Sequence, residues 1–245
     1  MRLMSLAALT AGLILVAPAS GWSQARVRIG VNAGQQVSST RFEQAGSFTD
    51  FLEDATFTGA HEIDAGVFYE GNVTARIAGA FTAGLAVSVF SRDDAVDVRA
   101  GLPHPFFFNR PRGVSGAPGG LERRETGVHI LLGWLLPTTD RVEIMVTAGP
   151  SIFKVEQDFV ERVNYTHAYP FDDAQFTGVA TERISDNAIG FNAGADVSIN
   201  LSTNVGVGLL IRYSRGTLDA PSAAGNTVSF DVGGLHAGGG LRLRF

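Results

Sequence analysis

From Arg26 to the C-terminus, apolar and polar residues alternate with period two in eight stretches. That is the spacing of a strand whose two faces meet different surroundings. About Arg26 to Val37, Val27, Ile29, Val31 and Ala33 oppose Arg28, Gly30, Asn32 and Gly34; about Glu62 to Ile77, Ile63, Ala65, Val67, Tyr69, Val73, Ala75 and Ile77 oppose Asp64, Gly66, Phe68, Glu70, Asn72, Thr74 and Arg76. About Phe81 to Arg92, Phe81, Leu85, Val87 and Val89 oppose Thr82, Gly84 and Ser88. In Glu125 to Leu136 the register stays open, because Leu131 and Leu135 are as apolar as Ile130, Leu132 and Trp134. Arg141 to Val155 sorts Val142, Ile144, Val146 and Ile152 from Glu143, Met145, Thr147 and Ser151, with Pro150 expected to mark a bulge or a rim. Ala188 to Leu201, Val205 to Ser214 and Val228 to Phe245 complete the set. The last closes on Leu241, Leu243 and Phe245 against Arg242 and Arg244.

The connections alternate as strictly as the residues. Ser38 to His61, Asp93 to Arg124, Glu156 to Asn187 and Arg215 to Thr227 are long, whereas Ala78 to Ala80, Pro137 to Asp140 and Ser202 to Asn204 are tight turns. An even-numbered up-and-down barrel with both termini in the periplasm sorts its loops this way, and a soluble sandwich has no reason to. Unpaired backbone groups cost several kcal/mol each in hydrocarbon, so strands that cross lipid must close into a barrel without edges. The pattern therefore predicts an all-β, eight-stranded antiparallel up-and-down transmembrane β-barrel over residues 26–245.

The N-terminus adds a compartment. Arg2, the apolar stretch Leu6 to Val16 and the small-residue end Ser23-Gln24-Ala25 read as a secretory signal peptide over residues 1–25, cleaved after Ala25. The apolar run is too short for a spanning anchor. With no Cys among 245 residues, neither disulfides nor a lipidated cysteine is available. A net charge of −5, moving to −6 when Arg2 leaves with the signal, and the lack of a basic block argue against a nucleic-acid partner.

Eight strands make a barrel narrow enough for side chains to fill. The inward parity then brings Asp64, Glu70, Glu143 and Asp196 to Arg28, Arg76, Arg212, Arg242 and Arg244 in one lumen charge network. Buried charges must be paired or wet, so the expectation is a plug of ion pairs and water rather than an open pore.

With these residues in place, the chain resembles the small outer-membrane β-barrel proteins of Gram-negative bacteria, the group represented by OmpX and the transmembrane domain of OmpA. The resemblance covers Arg26 to Phe245, and its most specific element is Leu241-x-Leu243-x-Phe245. It implies that these three residues form the signal read by the barrel-assembly machinery. It also implies residence in the outer membrane, porin-like in the broad sense. The group's peptidoglycan-binding extension has no counterpart after the barrel, so tethering is not expected.

Chemistry is sparse. His61 has Glu62, Asp64 and Ser47 near it in sequence, but no nucleophile, base and orienting acid fall into a known arrangement, and no metal-ligand spacing occurs. His129 and His236 have inward parity, and Gly238-Gly239-Gly240 reads as close packing within a strand. No catalytic residue, cofactor or metal site is expected. The second long loop carries Phe106, Phe107 and Phe108 with Arg110 and Arg112. These residues are candidates for recognition of a host, a phage, a neighbouring protein or lipopolysaccharide phosphates. Packing over the barrel mouth or in an aromatic girdle is the alternative, favoured by the habits of such barrels. Tyr165, Tyr169, Phe171 and Phe176 in the third loop invite the same two readings.

The function expected is that of a monomeric, non-enzymatic outer-membrane barrel with a structural or surface-recognition role through its long loops. Outer-membrane lipid, lipopolysaccharide and the assembly machinery are its expected partners. A narrow channel, a small-molecule or lipid-binding barrel, and a secreted soluble barrel are the alternatives.

Overall fold

A computed structural model describes residues 27–139, 141–221 and 227–245; the signal peptide expected over residues 1–25 lies outside them. In chain order the strands are β1 (Val27–Gln36), β2 (Thr40–Asp50), β3 (Glu53–Ile63), β4 (Gly66–Ala78), β5 (Phe81–Asp94), β6 (Val96–Leu102), β7 (Arg112–Gly116), β8 (Leu121–Leu136), β9 (Val142–Thr166), β10 (Gln175–Asn200), β11 (Val205–Pro221) and β12 (Thr227–Arg244). Eight of them close an antiparallel barrel in the order β1-β12-β11-β10-β9-β8-β5-β4, with β1 pairing both β12 and β4. Each neighbour in that ring is the next barrel strand along the chain, so the topology is up-and-down.

Outward parity carries the apolar residues. On β11, Val205, Val207, Leu209, Ile211 and Tyr213 are exposed, and Leu241 and Leu243 on β12 continue the same surface. Soluble monomers rarely expose so continuous a belt, whereas a hydrocarbon solvent requires one. Its rims carry aromatic pairs: Phe81 meets Trp134 edge-on at 4.3 Å near the tight turns, and Phe191 meets Tyr213 at 6.0 Å near the other end. The register left open in β8 resolves with Ile130, Leu132 and Trp134 outward and Leu131 buried inside.

Three features differ from the sequence reading. First, the long connections are not loops. Ser38 to His61 and Asp93 to Arg124 supply a second, four-stranded sheet, β2-β3-β6-β7, while Glu156 to Asn187 prolongs β9 and β10 into one tall hairpin. Thr, Glu and Gly dilute the alternation there, but Ala55, Phe57, His61 and Ile63 still share one buried face.

Second, Pro150 makes no register shift. The β8–β9 ladder skips Ile130 and Leu131 opposite Pro150 and Gly149 and resumes in the same register. A Cβ on Gly149 would sit 2.1 Å from the Ile130 carbonyl oxygen, so only glycine permits this approach. The Asn192 amide spans the gap, donating to the Gly149 carbonyl at 3.0 Å and the Ile130 carbonyl at 3.2 Å.

Third, the irregularity falls higher on β9, where the partners jump from Arg162 to Val160. The extra residue is Glu161, and Val160 resumes the ladder opposite Thr181. Buried Gln44 of β2 holds both backbone groups of Val160, donating to its carbonyl at 2.6 Å and accepting from its N–H at 3.0 Å.

Above the belt two apolar cores form. One fills the upper lumen with Phe153, Phe159, Leu218, Phe230 and Val232, lidded by Phe42 and Ile63. The other lies between the second sheet and the β9–β10 hairpin, around Phe57, Val98, Leu102, Val160 and Val163.

Candidate functional site

Within the belt the lumen is a stack of ion pairs. Arg28 reaches Glu143 at 2.8 Å and Asp196 at 2.7 Å, and Asp196 also holds Arg242 at 2.5 Å. Glu70 takes Arg212 and is further held by the Asn72 amide at 3.0 Å. Higher up, His129 sits between the hydroxyls of Ser88 at 2.9 Å and Ser151 at 2.8 Å, while His236 faces Gln36 at 2.8 Å. Arg123 and Glu125, paired at 2.7 Å, end the polar column, and the Arg123 guanidinium lies 4.9 Å from the Phe230 ring at the floor of the upper core. Each buried charge in this stack thus meets an opposite charge, as desolvation demands.

Two members expected in this network stand apart. Asp64 is exposed in the short link between β3 and β4, because β3 leaves the barrel instead of running on into β4. Arg76 is half-buried at the mouth beside the tight turns, with Arg244 and Glu143, lining a recess of about 740 Å³, and its Nε has no hydrogen-bond partner. Arg244 reaches Glu143 only at 3.6 Å. Three acids therefore serve five arginines, and the excess lies at the open mouth where water reaches it.

His61 is buried. It stacks on Phe42 at 4.6 Å and meets Gln44 Oε1 at 3.2 Å, while Glu62 points outward to Arg41. Burial, with the nearby Arg123 charge adding to it, lowers the His61 pKa to about 4, so the ring is neutral. Adjacent strand residues face opposite ways, and the neighbours in sequence are not neighbours in space.

At the far end three turns converge: Phe51-Leu52 between β2 and β3, residues 103–111 between β6 and β7, and residues 167–174 between β9 and β10. Phe51 stacks on His167 at 5.9 Å, and Phe106 meets Phe171 at 5.5 Å. The Asn109 N–H donates to Glu53 at 2.9 Å, Arg110 pairs with Asp172 at 3.0 Å, and the Tyr165 hydroxyl donates to Asp50. Burial, then the hydrogen bond to Asp50, pushes the Tyr165 pKa up to about 12.

Arg112, grouped with Arg110 on sequence, is buried and structural. It donates to the carbonyls of Pro103 at 2.6 Å and Phe171 at 3.2 Å and to His167 Nδ1 at 2.9 Å, tying two turns together. Phe106, Phe107 and Phe108 remain exposed. The girdle alternative fails for them: from Ile152 at the belt's edge to Thr166 is about 14 strand residues, which at about 3.3 Å each and a 45° tilt sets the tip roughly 30 Å above the belt.

No protein-family model matches the chain, and no curated protein matches it. Among solved structures it is similar to Neisserial surface protein A, at 13% identity over 89% of this chain and 97% of that one, with a TM-score of 0.44. It is similar also to the outer membrane protease OmpT from Escherichia coli (7% identity, 90% and 97% covered, TM-score 0.49). A third is Ail, the attachment invasion locus protein of Yersinia pestis (9% identity, 88% and 98% covered, TM-score 0.36). The fold, an eight-stranded up-and-down antiparallel barrel with an outward apolar belt, is read from the chain's own strand order and burial. At these identities the likeness is one of fold alone.

Sequence parity located Ser88, Ser151 and Asn192 on the inner face but gave no reason to join them around His129. Phe51 and Leu52 were missed as part of the tip. The signal was present: an apolar pair with no alternation partner, in a hairpin otherwise rich in polar residues.

Proposed function

We propose that the chain is a non-enzymatic, monomeric integral protein of the outer membrane of a Gram-negative bacterium, and that its work is surface recognition through the tip. Export through cleavage of residues 1–25 and assembly through Leu241, Leu243 and Phe245 belong to the same reading. The observation that carries it is the tip itself. Exposed aromatic side chains from three separate turns sit together on a tall hairpin braced by a second sheet. Water gives no reason to gather them there, and recognition does.

Lipopolysaccharide is the expected neighbour of the belt. Arg124, Lys154 and Arg215 face outward just above it, where lipid A phosphates would lie, each within reach of an acid on its own strand or the next. The apolar upper core counts against the channel alternative, since a conducting path must stay wet past Phe153, Phe159 and Phe230.

The test is cell fractionation with heat-modifiable gel mobility, planar-bilayer recording, and adhesion of displaying cells to epithelial monolayers. Outer-membrane location, silent bilayers and adhesion lost in Leu52→Ser/Phe106→Ser/Phe108→Ser are expected. Steady conductance, or adhesion indifferent to the triple variant, overturns the recognition reading.

A further inference from the structure

The tip combines three properties that together specify a partner. Its apolar side chains protrude: Leu52 is 89% exposed, Tyr169 84%, Phe108 71% and Phe106 67%. Its backbone is strained to hold them. Phe51 (φ 48°), Leu52 (φ 66°), Asn109 (φ 58°) and Phe171 (φ 72°) are the positive-φ non-glycine residues among the described residues, and all four lie in these turns. Phe51-Leu52 fills a two-residue hairpin turn between paired Asp50 and Glu53, with both central residues left-handed. Asn-Gly is the ordinary occupant of such a turn, so a bulky apolar pair there is retained against its backbone preference. The third property is charge. Glu53, Asp54, Asp172 and Asp173 lie around and below the protruding rings, with exposed Arg110 paired to Asp172 and exposed Arg162 lower down over the Phe48 ring.

Resting on the surface-recognition reading, we infer that the tip docks on the phosphatidylcholine surface of an opposing membrane. The projecting apolar side chains suit a fluid surface that closes around them, and the recess of about 420 Å³ beside them is lined by His167, Tyr169, Asp172 and Asp173. The acidic ring beneath repels anionic headgroups and favours the trimethylammonium groups that form the outer layer of a phosphatidylcholine bilayer. The exposed faces of Phe106, Phe108 and Tyr169 attract the same cation. The protein's own membrane is excluded, because the tip stands roughly 30 Å above the belt by strand rise and tilt. Basic protein segments would share the charge preference, and they enter the test as its alternative.

The full mature chain is placed in neutral nanodiscs, with empty discs as the blank, and floated with vesicles of dioleoylphosphatidylcholine or with vesicles half replaced by phosphatidylglycerol. Flotation with the first and about tenfold weaker association with the second are expected, as is about tenfold loss in Leu52→Ser or in Phe106→Ser/Phe108→Ser, a tenfold change being 1.4 kcal/mol. Heat-modifiable mobility stays unchanged in these exposed-site variants. Asp54→Asn/Asp173→Asn restores association with the anionic vesicles. Equal binding to both vesicles, or variants that bind like wild type, overturns the proposal. Loaded, heat-modifiable discs that ignore phosphatidylcholine but capture a polylysine peptide overturn it in favour of a protein partner and leave the surface-recognition reading intact. Failure to load the discs overturns the transmembrane reading, and this inference with it.

Discussion

The lower barrel and its upper extension are built from the same strands with the same parity, yet their polarity is reversed. Along β11 the outward residues are Val205, Val207, Leu209, Ile211 and Tyr213, then Arg215, Thr217 and Asp219, while the inward ones change from Arg212 and Ser214 to Leu218 and Ala220. On β12 the inward face runs from Arg242 and His236 to Val232, Phe230 and Val228. The register between the two strands is unbroken through the change, and Gly233 (φ 86°) and Gly234 (φ 150°) sit at its level. A strand has no preference for which face is apolar; the solvent outside sets it. Below the inversion that solvent is hydrocarbon and the polar groups must find one another inside. Above it the solvent is water, and the hydrophobic effect fills the interior.

If the halves differ in this way, they should fail for different reasons. The largest effect is expected from unbalancing either interior. Glu70→Gln leaves Arg212 buried without its acid and should cost about 3–5 kcal/mol, whereas Glu70→Met/Arg212→Met should be neutral or stabilising. Phe230→Ala in the upper core should cost a similar 3–5 kcal/mol through loss of burial and the cavity left behind. Urea unfolding in vesicles measures all three, and a double variant as damaged as Glu70→Gln would contradict the account of the lower lumen.

The outer surfaces give the next test. Leu209→Arg should cost about 2–4 kcal/mol, and Thr217→Arg on the same face of the same strand should stay within about 0.5 kcal/mol. Equal costs would erase the inversion. A smaller effect follows from Gln44→Leu, which orphans both backbone groups of Val160 and should destabilise the second sheet by about 1–3 kcal/mol, seen as faster hydrogen exchange in β2 and β3.

A further effect depends on pH. His61 has a folded pKa of about 4 against an unfolded value of 6.5, so the unfolded hairpin binds more protons between those values. Stability of the second sheet therefore falls as pH drops from about 6.5 toward 4 and is flat outside that window, with up to about 3 kcal/mol lost. An NMR titration of the His61 ring should show a midpoint near 4. A midpoint near 6.5 would mean that the lid of the upper core is open to water.

Eight barrel strands, their outward parity and the sorting of long from short connections were legible in the sequence, because in hydrocarbon one rule governs every strand. The same rule assigned Arg28, Glu70, Glu143, Asp196, Arg212 and Arg242 to the lumen. It misplaced Asp64, because alternation continues across the link from β3 to β4 although the chain changes sheets there. It also passed over β2, β3, β6 and β7. Above the belt, burial comes from one sheet packing on another, and Thr, Gln and Gly serve in those strands as well as leucine does.

Sequence by itself determined the barrel, because period-two alternation against a uniform apolar solvent is a local property of each strand. Tertiary structure alone decided which loop residues act together. The pairing of Phe51 with His167, of Phe106 with Phe171 and of Arg112 with the distant Phe171 carbonyl depends on strand lengths and register summed over three hairpins, and no local pattern carries that sum.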